Sequence, residues 1–106
     1  MGGTLIRIDV SGWIGDGESA VAAAAAAMDL VVAMDGTQRS FPGSRHWHFK
    51  RRGQSGTLEV TLWPAERQLW VSYHENRIGD GWVVKAAGEF AESLAAKLGG
   101  IAVLSN

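Results

Sequence analysis

Three absences limit what this chain can do before any motif is considered. The sequence has no cysteine, which excludes disulfide bonds, thiolate metal sites and cysteine nucleophiles together. Its 10 basic and 11 acidic residues leave a net charge of −1, so we expect no overall attraction to nucleic acid or to an anionic membrane. A chain without cysteine or a recognisable signal peptide is most simply expected in the cytoplasm.

Long apolar runs are also missing. The most apolar segment, residues 20–34, consists mainly of alanine and contains Asp29. It is shorter than the roughly 20 residues that a membrane-spanning helix needs. We therefore expect no membrane partner, and we interpret the 106 residues as one domain with a single core.

Two segments have the apolar spacing of amphipathic helices. The first is expected over Glu18–Met34, with Asp16 as its N-cap and Gly36 as the residue that ends it. The glycine-rich stretch at residues 12–17 is interpreted as the turn that leads into this helix. The second helix is expected over Trp82–Leu98.

Alternation of polar and apolar residues predicts the strands. They are expected at Thr4–Val10, Arg45–Arg52, Thr57–Trp63 and Gln68–His74, with a short additional strand at Ile101–Leu104. This order, β-α-β-β-β-α and then a final strand, predicts an α+β fold. We expect a two-layer sandwich in which two helices lie on one face of a mainly antiparallel sheet of four or five strands.

Turn lengths predict how the three central strands pair. A two-residue loop at residues 54–55 would place Lys50 opposite Glu59, and His48 opposite Thr61. A four-residue turn at residues 64–67 would place Thr61 opposite Trp70. The two registers assign every side chain to the same faces. The face that the helices must cover contains Trp47, Phe49, Leu58, Val60, Leu62, Leu69, Val71 and Tyr73. The opposite face, which we call the open face, contains His46, His48, Lys50, Arg52, Thr57, Glu59, Thr61, Trp63, Trp70, Ser72 and His74.

The three histidines are considered first as metal ligands. His46 and His48 share a face at a spacing found in imidazole metal sites. In the predicted register, however, His74 lies about 13 Å further along the sheet at ~3.3 Å per residue. Glu59, the nearest strand carboxylate, faces Lys50. The sequence therefore predicts no metal site and no cofactor.

Two tryptophans on the open face indicate protein association. A compact aromatic patch with a polar rim is typical of an interface. We expect a small non-catalytic binding or adaptor domain, most simply a homodimer, and an inhibitor-type protein with a different partner fits equally well. The interaction residues would be His46, His48, Thr61, Trp63 and Trp70. The alternative is that Trp13 or a terminal segment folds over this patch and makes it a second small core.

Two other functions remain open. Arg45, Lys50 and Arg52 make the first central strand basic, which could serve nucleic acid if exposed tryptophans stack on bases. The segment His74–Arg77 could form a small enzyme site, in which Arg77 would contact an anion near the start of the second helix. No catalytic residue is assigned, because no nucleophile or paired-carboxylate motif is present.

Overall fold

The computed structural model describes residues 3–9, 16–74 and 81–105. It confirms a two-layer α+β sandwich, but the antiparallel sheet has six strands rather than four or five. The strands are β1 (Gly3–Asp9), β2 (Val31–Gly36), β3 (Arg45–Lys50), β4 (Leu58–Trp63), β5 (Gln68–His74) and β6 (Ile101–Ser105), and the helices are α1 (Gly17–Ala27) and α2 (Gly81–Leu98). Their order in the sheet is β2-β3-β4-β5-β1-β6.

The first helix is shorter than the sequence predicts. The Asp16 carboxylate accepts a hydrogen bond of 3.1 Å from the Glu18 N–H, which confirms the N-cap. At the other end, Asp29 adopts a left-handed conformation with φ of 58°. The Leu30 N–H then donates to the Ala25 carbonyl at 2.9 Å, and this 6→1 bond ends the helix.

The prediction of a helix as far as Met34, ended by Gly36, is therefore wrong. Residues 31–36 instead form β2, which pairs with β3 at one edge of the sheet. The β-branched pair Val31 and Val32 suits an extended backbone better than a helix. Val32 is 56% exposed rather than part of a buried helical stripe.

The C-terminal half matches the expected elements closely. The second helix ends at Leu98, and Gly99 has a positive φ of 73° that glycine adopts without strain. The Gly100 N–H donates to the Ala95 carbonyl at 2.8 Å, which repeats the helix ending seen in α1. The following strand β6 is confirmed and pairs with β1, which lies between β5 and β6.

The two central hairpins differ in how well they were predicted. Thr61 pairs with Trp70 and Leu62 with Leu69, so the β4–β5 register is confirmed. The β3–β4 register is wrong by two residues, because residues 51–57 form a longer connection than a two-residue loop. An even shift keeps every side chain on its predicted face but changes its partner.

The core lies between the sheet and the two helices. All residues predicted to face the helices are between 0% and 7% exposed, which confirms that face: Trp47, Phe49, Leu58, Val60, Leu62, Leu69, Val71 and Tyr73. The apolar face of α2 is also buried, and the Phe90 ring lies 5.6 Å from the Phe49 ring. This face contains Val83, Ala87, Phe90, Leu94 and Leu98. Among the described residues, no helix is long and apolar enough to cross a membrane.

Candidate functional site

The corrected β3–β4 register brings together side chains that the predicted register kept apart. His48 pairs with Glu59, and His46 pairs with Thr61. Residues that pair directly across an antiparallel ladder project from the same face with their Cβ atoms about 4.5–5.5 Å apart. The open face therefore carries a compact group formed by His46, His48, Glu59 and Thr61, which we call the histidine–glutamate cluster.

Three potential ligand atoms of this cluster converge. The Nε2 atoms of His46 and His48 are 3.2 Å apart. A Glu59 carboxylate oxygen, Oε1, lies 3.2 Å from the His46 Nε2 atom and 3.6 Å from the His48 Nε2 atom. The two imidazole rings meet edge to face, with their centroids 5.0 Å apart. The cluster thus presents two nitrogen donors and one oxygen donor to a common point.

Thr61 holds the more deeply buried of the two rings. Its hydroxyl oxygen is 2.7 Å from the His46 Nδ1 atom, and Thr61 itself is fully buried. When the His46 ring proton is on Nδ1 and is donated to Thr61, the Nε2 lone pair faces Glu59 and His48. This contact sets the orientation of the ring through Nδ1, the ring nitrogen that does not contact Glu59 or His48.

Burial affects the charge of His46. Its side chain is 5% exposed, and this desolvation lowers the pKa of His46 below its ordinary value, although the Glu59 carboxylate acts in the opposite direction. A charged His48 would lower the pKa of His46 further. The neutral imidazole that results is the form that can bind a metal ion or accept a proton.

His74 is not part of this cluster. It lies on β5, two strands away from His48 and two residues further along than Ser72, the β5 partner of Glu59. At ~4.8 Å per strand and ~3.3 Å per residue, the separation from His48 is about 12 Å. The prediction of no metal site rested on the distance of His74 and on the pairing of Glu59 with Lys50. The pairing of Glu59 with Lys50 is wrong, because Glu59 pairs with His48.

The aromatic patch on the open face is partly covered. Phe41 packs on both tryptophans, with ring centroids 4.9 Å from Trp63 and 5.1 Å from Trp70. The Trp63 indole N–H donates to the Pro42 carbonyl at 2.9 Å. These contacts come from residues 37–44, which we call the Phe41 loop. Trp13, the residue considered for this role from the sequence, lies outside the described residues.

The Phe41 loop has its own internal bonds. The Phe41 N–H donates to the Gln38 carbonyl at 3.1 Å, and the Ser44 N–H donates to the Phe41 carbonyl at 3.0 Å. The Ser44 hydroxyl, on a buried residue, accepts a bond of 3.3 Å from the Gln38 N–H. Two successive turns thus place the Phe41 ring over the tryptophans.

The basic residues proposed for nucleic acid do not form one surface. Arg45 lies beside Trp47, on the helix side of the sheet, and forms ion pairs with Asp35 at 2.8 Å and Glu18 at 3.1 Å. The Lys50 Nζ atom donates to the Gly56 carbonyl at 3.2 Å. Arg52 is exposed in the following turn.

The candidate enzyme segment at residues 74–77 is only partly described, because Glu75, Asn76 and Arg77 lie outside the described residues. His74 is exposed at the end of β5.

Comparison with protein-family models, with curated proteins and with solved structures finds no match to this chain. Any function must therefore be inferred from the geometry of its own residues.

Proposed function

We propose that this chain is a small non-catalytic binding domain that associates with another protein chain, most simply a second copy of itself. The association would use the uncovered side of the sheet, namely the open face and the β6 edge next to it. One observation carries the proposal. Among the described residues, the exposed large apolar side chains lie on the two edge strands: Val32 and Met34 on β2, Ile101 and Leu104 on β6.

The β6 edge has few features that would prevent pairing. Its sequence Ile101–Ser105 contains no charged residue and no proline, and Ile101 and Leu104 are 64% and 62% exposed. Its outer backbone groups pair with no strand of the described chain. Natural sheets usually protect such an edge with charges, proline or a bulge, and an unprotected edge is a template for another strand.

The β2 edge is better protected. Its ladder with β3 is irregular between Val32 and Met34, and such irregularities twist an edge away from partners. Asp35 places a carboxylate on this strand, where it is paired with Arg45. The contrast between the two edges favours β6 as the site of strand addition.

A second copy fits the β6 edge without further assumptions. Two β6 strands can pair antiparallel about a two-fold axis, which is the commonest symmetry of soluble dimers. This pairing would place two open faces side by side in one continuous sheet. Of the open-face residues proposed for interaction, His48, Trp63 and Trp70 are partly exposed and would form the remaining surface for a partner, whereas His46 and Thr61 are buried beneath it. The Phe41 loop reduces the tryptophan area available there, since it contacts both rings.

The other proposed functions have less support. Arg45 is neutralised by Asp35 and Glu18, which disfavours a continuous basic surface for nucleic acid. The absence of cysteine fits a cytoplasmic location, which we include in the proposal. An inhibitor-type role with a different protein partner would use the same edge and face.

Analytical ultracentrifugation in the presence of EDTA tests self-association. We expect a dimer for the wild type and a monomer for Ile101→Lys/Leu104→Lys, because two charges on β6 oppose strand pairing. Val32→Lys is the matched control, because Val32 is 56% exposed on the opposite edge, and it should remain a dimer.

The same measurement distinguishes association through the β6 edge from association through the open face. A wild-type monomer at all accessible concentrations would overturn self-association. If Trp63→Ala/Trp70→Ala dissociates the dimer while the β6 variants do not, the open face and not the β6 edge carries the association. Circular dichroism of each variant shows that the sheet is intact before the comparison is made.

A further inference from the structure

We propose that the histidine–glutamate cluster is a binding site for one divalent zinc ion, with the Nε2 atoms of His46 and His48 and a Glu59 carboxylate oxygen as ligands. Among the described residues these three side chains form a group whose ligand atoms all lie within 4.8 Å of one another. All three ligands belong to one chain, so zinc binding at this site does not require self-association.

The separations of the three atoms match a tetrahedral ion. They are 3.2, 3.2 and 3.6 Å. In a tetrahedral site with bonds of about 2.1 Å, ligand atoms are about 3.4 Å apart. Octahedral geometry at the same bond length gives about 3.0 Å. An ion can therefore contact all three atoms with little movement of the side chains.

The chemistry of the donors also selects the class of ion. Two imidazole nitrogens and one carboxylate oxygen suit zinc and neighbouring transition metals, whereas magnesium and calcium prefer oxygen ligands alone. Neutral imidazole is required for binding, and the burial of His46 favours its neutral form. Three protein ligands leave one tetrahedral position for water or another small ligand.

The surroundings of His46 resemble those of a metal ligand rather than of an ordinary core histidine. Metal-binding histidines commonly donate the other ring N–H to a fixed acceptor, which orients the ring and sets its tautomer. The Thr61 hydroxyl stands 2.7 Å from the His46 Nδ1 atom, in the position that this role requires. His48 and Glu59 are 33% and 26% exposed at their side chains, so an ion can reach the site from solvent.

The backbone holds these ligands on rigid elements. His46 and His48 lie two residues apart on β3, and Glu59 lies opposite His48 on β4, which is paired on both sides. Because strand pairing fixes the Cβ positions, little conformational entropy is lost when the ion binds. A site on two paired strands is thus largely formed before the ion arrives.

Isothermal titration calorimetry with zinc chloride, on protein freed of metal with EDTA and then desalted, tests the proposal. We expect one zinc per chain for the wild type. His48→Gln and Glu59→Gln each remove one ligand from a partly exposed position, and each should weaken binding by more than about 100-fold. His74→Gln is the matched control, because it removes the histidine outside the cluster and should bind as the wild type does.

Thr61→Val gives a second and more specific readout. It keeps the side-chain shape and removes only the hydroxyl beside His46, so zinc affinity should fall by about 10–100-fold. Magnesium chloride should produce no binding heat in the wild type. Thermal unfolding without metal establishes that each variant folds.

Zinc should also change the thermal stability of the variants that keep the site. It should raise the melting temperature of the wild type and of His74→Gln, but not of His48→Gln or Glu59→Gln. Failure of zinc to bind the folded wild type would overturn the proposal. Equal zinc affinity in the wild type, His48→Gln and Glu59→Gln would also overturn it, because the ion would then be bound elsewhere.

Discussion

His48 lies directly opposite Glu59 in the β3–β4 ladder, and its Nε2 atom is 3.6 Å from a Glu59 carboxylate oxygen. This pairing completes the histidine–glutamate cluster on the open face of the sheet. The stability of the metal-free protein should depend on pH in a defined direction, because burial lowers the pKa of the neighbouring His46.

Stability should fall as the pH is lowered through the ordinary pKa of histidine. The pKa of His46 is lowered by burial in the folded protein, so below about 6.5 the unfolded chain takes up a proton that the folded protein does not. Above that pH both states are neutral at this ring, and its contribution is constant. Below the folded pKa both states are protonated, and the loss stops increasing.

Urea unfolding in EDTA at a series of pH values measures this effect. The comparison is between the wild type and His46→Gln, since the difference between their curves isolates His46 from the carboxylates that titrate at lower pH. We expect the wild type to lose more stability between neutral pH and pH 5 or so. His74→Gln should keep the wild-type slope, and equal slopes for all three proteins would contradict the assignment.

Phe41→Ala should destabilise the domain by about 1–3 kcal/mol, because aromatic pairs contribute roughly 0.5–1.5 kcal/mol each. Phe41 forms two such pairs, with Trp63 and Trp70. Chemical unfolding gives the free energy, and tryptophan emission should move to longer wavelength as the rings gain water. Ser40→Ala, at the exposed neighbouring position, is the control. An unchanged emission spectrum would show that Phe41 does not cover the tryptophans.

Asp29→Gly should stabilise the protein by roughly 0.5–1 kcal/mol, because glycine adopts the left-handed conformation at a helix end without a Cβ penalty. Asp29 has a φ of 58° at the end of α1. Gly99→Ala should have the opposite sign, since Gly99 occupies the same position after α2 with a φ of 73°. Thermal and urea unfolding check both. A destabilised Asp29→Gly variant would contradict the helix ending described for α1.

Phe90→Ala should lower the free energy of unfolding by about 3–5 kcal/mol, because it leaves a cavity between α2 and the sheet. The Phe90 side chain is fully buried and lies against Phe49. Glu89→Ala, at the adjacent exposed position, should change stability by no more than about 0.5 kcal/mol. Similar effects for the two variants would show that this face of α2 is not the core.

The second hairpin was predictable because all of its signals are local. The turn at residues 64–67 is short, and its C-terminal residue Arg67 adopts a left-handed conformation. The core-facing residues occupy every second position of β4 and β5, namely Leu58, Val60 and Leu62, and Leu69, Val71 and Tyr73. Each turn length allows only a few registers, and alternation then selects the face. Local agreement of this kind needs no knowledge of the rest of the fold.

The boundary between α1 and β2 was not predictable in the same way. The alanine run has high helix propensity, and Met28, Val31 and Val32 continue a helical spacing, so the pattern alone extends the helix. The chain instead turns at Asp29, and residues 31–36 gain backbone hydrogen bonds from β3. Pairing with a distant strand outweighs a weak local preference.

Composition and alternation establish the fold class, the core-facing residues and the open face of this protein, because these depend on which side of a strand or helix a residue occupies. The position of Glu59 beside His46 and His48 depends on the β3–β4 register instead. A register shift of two residues leaves every side chain on the same face of the sheet. The hydrophobic pattern therefore cannot distinguish the two registers. Packing of the complete sheet selects one of them, and the histidine–glutamate cluster exists only in that one.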